Sequence, residues 1–196
     1  NILLNKFQAY CLKILKPILC NTKEGKNLFV SKNELFLEKN ISDNKIVNNV
    51  KLKRLVLNYK KKNLKIGFTN GCFDILHYGH IKYLEESKKL CDILIVALNS
   101  DKSVKKIKGN TRPINSESNR AKVLASLNSC DHIVLFDEIT PIKLIEMIKP
   151  DLLSKGSDYK KKDIVGAKKV ESWNGEVRII KLVKGLSTTK IIQNIK

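Results

Sequence analysis

From Leu64 onward, short apolar runs alternate with amphipathic stretches, and this alternation limits the fold more than any other feature. LKIGFTN (64–70), DILIVALNSD (92–101), HIVLF (132–136), DLLSK (151–155) and EVRIIKL (176–182) read as strands. IKYLEESKKL (81–90), the segment 120–127, TPIKLIEMIK with Thr140 as N-cap, DIVGAKKVESW (163–173) and STTKIIQNI with Ser187 as N-cap read as helices. The strand at 92–101 is apolar at consecutive positions instead of every second one, as expected when helices cover both faces of a parallel sheet. The pattern predicts an α/β fold: a Rossmann-like, doubly wound five-stranded parallel sheet with flanking helices and right-handed crossovers. Such sheets bind ligands at the carboxyl ends of their strands, where the strand order reverses.

The first 63 residues differ in character. Leu3, Leu4, Phe7, Cys11, Ile14 and Leu15 form a helical stripe, residues 21–45 are polar connection, and Val47 to Tyr59 reads as a helix ending in Lys60-Lys61-Lys62. Residues 1–63 are therefore expected to be a partly helical extension or linker, and 64–196 the main domain. Lys6, Lys13 and Lys16 interrupt the apolar start, so no membrane span is expected. Five scattered cysteines without a CxxC pair fit a reducing, cytoplasmic setting and offer no zinc site.

The net charge of +19 raises the question of nucleic acid. The excess is shared, however: 14 Lys and Arg against 4 Asp and Glu up to residue 62, and 24 against 15 after it. The lysines are not interleaved with aromatic residues as a base-stacking platform requires, so small anionic substrates are expected and nucleic acid is not.

Four motifs fall at strand ends or at the helix starts that follow. Asn70-Gly71-Cys72-Phe73-Asp74 leads into His77-Tyr78-Gly79-His80, which holds two of only three histidines. A helix start offers unpaired N–H groups to an anion, two imidazoles add directed donors, and Gly79 leaves room for a phosphate. Gly185-Leu186-Ser187-Thr188-Thr189-Lys190 opens the last helix with hydroxyls and a cation. Lys108-Gly109-Asn110-Thr111-Arg112-Pro113 and Arg120 place fixed cations after the second strand, and Lys105 and Lys106 read as solvated surface. Ser154-Lys155-Gly156-Ser157-Asp158-Tyr159 ends the fourth strand. His132, opening a strand, reads as a structural residue, and Asp74 as a turn former.

The HxGH behind FTNGCFDIL resembles the nucleotidyltransferase superfamily. From Ile66 to Lys196 the chain is similar to the adenylyltransferase domain of bacterial ADP-heptose synthases, through FTNGCFDILHYGHIKYLEESKKLCDILIVALNSDKSVKKIKGNTRPIN, NRAKVLASLNSCDHIVLFDEITPIKLIEMIKPDLLSKGSDY and GLSTTKIIQNI. The resemblance implies transfer of AMP from ATP to D-glycero-β-D-manno-heptose 1-phosphate, in lipopolysaccharide core precursor synthesis, with Mg2+ accompanying the triphosphate. It implies His77, His80 and Lys190 as catalytic residues. Asn70, Gly71, Cys72, Phe73, Gly79, Asn99, Asp101, Arg120, Lys155, Gly156, Asp158, Ser187, Thr188 and Thr189 would bind nucleotide, and Lys108 and Arg112 the sugar phosphate. No protein metal ligand is implied, and a homodimer is. Transfer to another phosphorylated alcohol, or a non-catalytic nucleotide- or RNA-binding role, are the alternatives. A sugar kinase precedes this domain in many relatives; residues 1–63 resemble it only weakly and lack its GxGD loop, so no kinase activity is expected. The chain departs from the family at Cys91, Ser154, Ser157 and Asn174, three of which replace glycine; a serine at 157 is costly if that backbone is left-handed.

Overall fold

The computed structural model describes residues 44–195, apart from 184. The predicted stripe at Leu3–Leu15 lies outside them. The chain runs through α1 (Asn49–Lys61), β1 (Ile66–Gly71), α2 (Tyr78–Lys88), β2 (Ile93–Asn99), α3 (Asp101–Lys108), α4 (Glu117–Ala125), β3 (His132–Phe136), α5 (Ile142–Ile148), β4 (Leu152–Gly156), a 3-10 turn (Lys161–Asp163), α6 (Ala167–Ser172), β5 (Glu176–Ile180) and α7 (Thr188–Ile195). The five strands form one sheet in the order β3-β2-β1-β4-β5, and every pair is parallel. After β3 the chain returns past β1 to lay β4 on the other side, so the strand order reverses between β1 and β4. A cleft opens there.

Consecutive residues of β2 bury themselves on opposite faces. Leu94, Val96 and Leu98 pack with Leu84 and Leu124 from α2 and α4, whereas Ile95 and Ala97 pack with Ile145 from α5 and Val56 from α1. This is the physical content of the unbroken apolar run.

Helix α1 is built into that core. Asn48 accepts at its N-terminus from Lys51 N at 2.9 Å, Leu52 is fully buried and Val56 nearly so, and Ile46 makes a parallel bridge to Ile133 on the outer side of β3. Leu52→Ala is expected to cost about 2–5 kcal/mol by chemical denaturation, whereas Val50→Ala, at a position 68% exposed, stays within about 0.5 kcal/mol. Equal effects at the two sites would place α1 outside the cooperative core.

Local readings shift in three places. β2 ends at Asn99, and Ser100 caps α3, an unexpected helix in which Ser100 Oγ accepts from Ser103 N at 3.2 Å. Its buried side is only Ser103 and Val104, too small a stripe to show through the lysines. Helix α5 begins behind Pro141 without a side-chain cap, so Thr140 does not serve as its N-cap. The helix expected over 163–173 is broken by Gly166 at φ 84, where a Cβ would lie 2.6 Å from Ile145 Cδ1.

Two of the departures from glycine are explained. Asn174 adopts φ 64, a left-handed conformation that asparagine tolerates better than most residues. Ser157 is not among the positive-φ residues; its Oγ accepts from Leu182 N at 3.1 Å and ties the end of β4 to the end of β5. Cys91 packs where only glycine faces it: a Cβ on Gly67 would lie 2.5 Å from Cys91 Sγ. Ser154 is fully buried beside the Tyr83 hydroxyl, which bonds Thr69 Oγ1 at 2.6 Å and donates to Ser154 O at 2.9 Å.

Candidate active site

β1 delivers the chain into a sharp turn at Phe73, whose φ of 43 is left-handed, and α2 begins five residues later. His77 is the N-cap of α2, but its side chain caps nothing, which frees the imidazole. The His77 and His80 rings stack with centroids 3.8 Å apart and planes 22° from parallel, and Phe73 meets His80 edge-on at 5.2 Å. The Nδ1 atoms of both histidines are buried and have no hydrogen-bond partner. A Cβ at residue 79 would stand 3.0 Å from the His77 ring, so Gly79 first of all makes room for the histidine stack.

Burial lowers both imidazole pKa values, and the neighbouring His77 helps bring His80 down to about 4. Both rings are therefore neutral at pH 7, offering N–H donors and no charge. An unfolded histidine near 6.5 takes up its proton before the folded His80 does, so stability is full above about pH 6.5 and falls as pH drops from there toward 4. Replacing His80 with Gln is expected to flatten that slope in acid-titrated thermal melts; an unchanged slope would remove His80 from the account.

The second helix start comes from the far end of the sequence. Ser187 Oγ accepts from Lys190 N at 3.2 Å and caps α7, and Thr188 Oγ1 donates to Ile75 O at 3.3 Å, docking α7 on the turn before α2. The two helix N-termini thus border one cleft of about 500 Å3. Asn70, Gly71, Cys72, Phe73, His77, Gly79, His80, Asn99, Lys108, Arg112, Lys155, Asp158, Ser187, Thr188 and Thr189 all line it.

Asp101, Arg120, Gly156 and Lys190 are not in that lining. The Arg120 side chain, 1% exposed, donates to Cys72 O at 2.6 Å, Asp101 Oδ1 at 2.8 Å and Asn115 O at 3.0 Å. All three of its nitrogens are thus spent bracing the turn after β1. A Cβ on Gly156 would lie 2.6 Å from Asp158 Oδ1, so its glycine is a packing requirement. Lys190 is exposed on α7.

Arg112 reaches the cleft while ion-paired through Nε to Asp74. The Asp74 carboxylate, buried at 2% exposure, also accepts from Ile114 N at 2.8 Å and Asn115 N at 3.0 Å, so it holds the loop after α3 against the turn before α2. His132 Nε2 bonds the Tyr59 hydroxyl at 2.7 Å, joining α1 to β3 well away from the cleft lining. Of the apolar wall of the cleft, the motifs supply Tyr159 and Leu186 and do not reveal Ile107, Ile139, Pro141 and Val165. Single apolar residues in loops, or near the end of a lysine-rich helix as Ile107 is, carry no periodic signal. Among the described residues no three His, Cys, Asp or Glu side chains group as metal ligands.

A parallel sheet with paired imidazoles at one helix start and a hydroxyl-rich second helix start across the reversal point defines a nucleotidyltransferase of Rossmann-like architecture. The chain belongs to the cytidylyltransferase-like family, whose model matches residues 68–194. It is 48% identical over 153 residues to the bifunctional protein HldE of Koribacter versatilis, covering 78% of this chain and 32% of that one. To HldE of Campylobacter jejuni subsp. doylei it is 57% identical over 137 residues, covering 70% of this chain and 29% of the relative. The chain spans about a third of the length of these curated relatives. Among solved structures, pantothenate synthetase from Thermus thermophilus superposes with a TM-score of 0.52 at 14% identity, covering 75% of this chain and 67% of that one, and shares the fold.

Proposed function

We propose that the chain transfers AMP from ATP to D-glycero-β-D-manno-heptose 1-phosphate, giving ADP-heptose and pyrophosphate. The observation that carries the transfer is the stacked His77–His80 pair, with two buried and unsatisfied nitrogens, placed opposite the Ser187–Thr189 helix start. The choice of acceptor and base rests on the KGNTRPIN and KGSDY loops, which resemble those of ADP-heptose synthases, and on the likeness to HldE proteins.

A phosphate oxygen of the sugar attacks the α-phosphorus of ATP, the bond to the β-phosphate breaks, and its electron pair leaves with pyrophosphate. The attacking phosphate is already ionised at neutral pH, so no general base is required. Catalysis then consists of holding two anions in line and stabilising charge on the phosphate oxygens. In this reading His77 and His80 donate to the triphosphate, and Ser187, Thr188 and Thr189 hold the leaving phosphates at the α7 start. Lys108 and Arg112 take the sugar phosphate, while Arg120 and Asp101 keep the Cys72 turn in place from below the cleft. Lys190, exposed next to that helix start, would turn in only once the triphosphate is bound. Mg2+ would arrive with the triphosphate, held by phosphate oxygens and water.

The same reading carries a homodimer, which light scattering would report, and a cytoplasmic site of action. No helix among the described residues is long and apolar enough to cross a membrane. The deciding experiment is pyrophosphate release with ATP or CTP against a panel of sugar phosphates. Release that requires ATP and heptose 1-phosphate together supports the proposal; preference for CTP or glycerol 3-phosphate would replace it.

A further inference from the structure

Lys155 is the one lysine or arginine of the cleft lining, among the described residues, that is buried without a carboxylate partner. It stands next to last in β4, beside the end of β1, and is only 8% exposed. Its Nζ donates to Asn70 O at 3.0 Å and lies 5.2 Å from the centre of the Tyr159 ring. It takes part in none of the ion pairs formed among the described residues. Lysine is seldom buried without a carboxylate, because a desolvated ammonium is stabilised only by a close counter-charge. A carbonyl oxygen and a ring face supply part of that, and among the described residues no carboxylate comes within ion-pair distance.

The surroundings sharpen the point. His77 and His80, beside it in the cleft, bring no charge at neutral pH, since burial holds both in the neutral form. Arg112 is ion-paired through Nε to Asp74 and, with Lys108 on the wall at the end of α3, faces the sugar-phosphate side in the reading above. The remaining ionisable groups of the lining are Cys72, Asp158, Tyr159 and Asp163, and Asp158 forms no ion pair with Lys155. At the reversal point between β1 and β4, the only unpaired buried cation among the described residues is thus Lys155.

We infer that Lys155 is a catalytic residue whose ammonium group neutralises the phosphate undergoing substitution. The inference rests on the transfer reaction proposed above. Two phosphates repel as the sugar oxygen forms its bond to the α-phosphorus and the bridging oxygen departs with pyrophosphate. A fixed cation in a desolvated floor offsets that repulsion most where the charge is greatest, in the transition state. No proton moves in the step, so Lys155 remains protonated throughout. Burial brings its pKa down to about 8, with Asp158 and Cys72 opposing the shift, so free enzyme loses the charge in mildly alkaline solution.

The test compares the wild-type chain with Lys155→Met. Three results are expected. The variant melts at a higher temperature without ligand, because an apolar chain of similar length replaces an unpaired charge. Its kcat falls about 100-fold or more, with KM for ATP changed less than about fivefold. The wild-type decline of kcat/KM above about pH 8 is absent from what activity remains. A variant that melts lower than wild type would assign the ammonium to the fold and overturn the inference, as would a kcat within about threefold of wild type. ATP-dependent thermal shifts separate the two proposals. If no sugar phosphate is turned over by wild type, yet ATP raises its melting temperature by more than it raises that of Lys155→Met, the acceptor assignment falls and the anion role of Lys155 stands.

Discussion

His80→Ala should reduce the rate of pyrophosphate release by about 10^2–10^3 at saturating ATP and sugar phosphate, the loss seen when one preorganised donor is removed from a developing oxyanion. His80 is held between the His77 ring at 3.8 Å and the edge of Phe73 at 5.2 Å, so it meets a ligand in one orientation with no reorganisation. Alanine deletes the donor and also releases His77 from the stack. Because the ring is neutral, the effect should appear as lost positioning and hydrogen bonding, and the rate of the wild-type enzyme should not rise as pH falls from 7 to 5. Circular dichroism should be unchanged. Retention of more than a tenth of the wild-type kcat would remove His80 from the reaction.

Asp74→Ala should destabilise the folded chain by about 3–5 kcal/mol, the range for removing one partner of a buried ion pair. The substitution leaves Arg112, whose side chain is 15% exposed, without its carboxylate, and it leaves the Ile114 and Asn115 N–H groups without their acceptor. For a chain of this size the melting temperature should drop by on the order of 10 °C. The double variant Asp74→Ala, Arg112→Met should be less destabilised than the sum of its parts, since it abandons no charge. A single variant that unfolds within about 1 kcal/mol of wild type would show that the loop after α3 is held by something else. Asp74 thus acts on the site without entering it: it sets the distance between the wall that carries Lys108 and the turn that carries His77.

What the sequence makes legible follows from the range of the forces involved. The inner strands are legible because burial on both faces leaves continuous apolar runs, whereas β5, only partly buried at the rim, sets its apolar residues among charged ones. His77-Tyr78-Gly79-His80 and Gly185–Lys190 are legible because each is a local arrangement at a helix start. Their meeting, sealed by Thr188 on Ile75, follows from the parallel topology. The direction of a long side chain is a different matter. Arg120 turns inward to Cys72 O and Asp101, and Lys190 lies outside the cleft, though both are cations next to a motif. Helix phase and tertiary partners decide such cases, and neither is local. Gly79 suggests clearance for a phosphate, and its nearest obligation proves to be the His77 ring. Residue 157 poses a strain problem only while its backbone is unknown; in the fold it supplies a latch to Leu182.

The bridge from Ile46 to Ile133, with Val47 N donating to Ile133 O at 2.9 Å, has a consequence for solubility. A parallel sheet has two rims, and each is an invitation to another chain. At one rim the protein's own backbone occupies part of β3. At the other, β5 presents the charged pair Glu176 and Arg178, which discourages strand addition. A shortened chain beginning at Leu64 would keep every residue of the cleft, yet it would uncover the rim that has no Asp, Glu, Lys or Arg of its own on β3, along with the apolar floor beneath α1. Such a fragment would be expected to associate through its edge before it could bind a nucleotide.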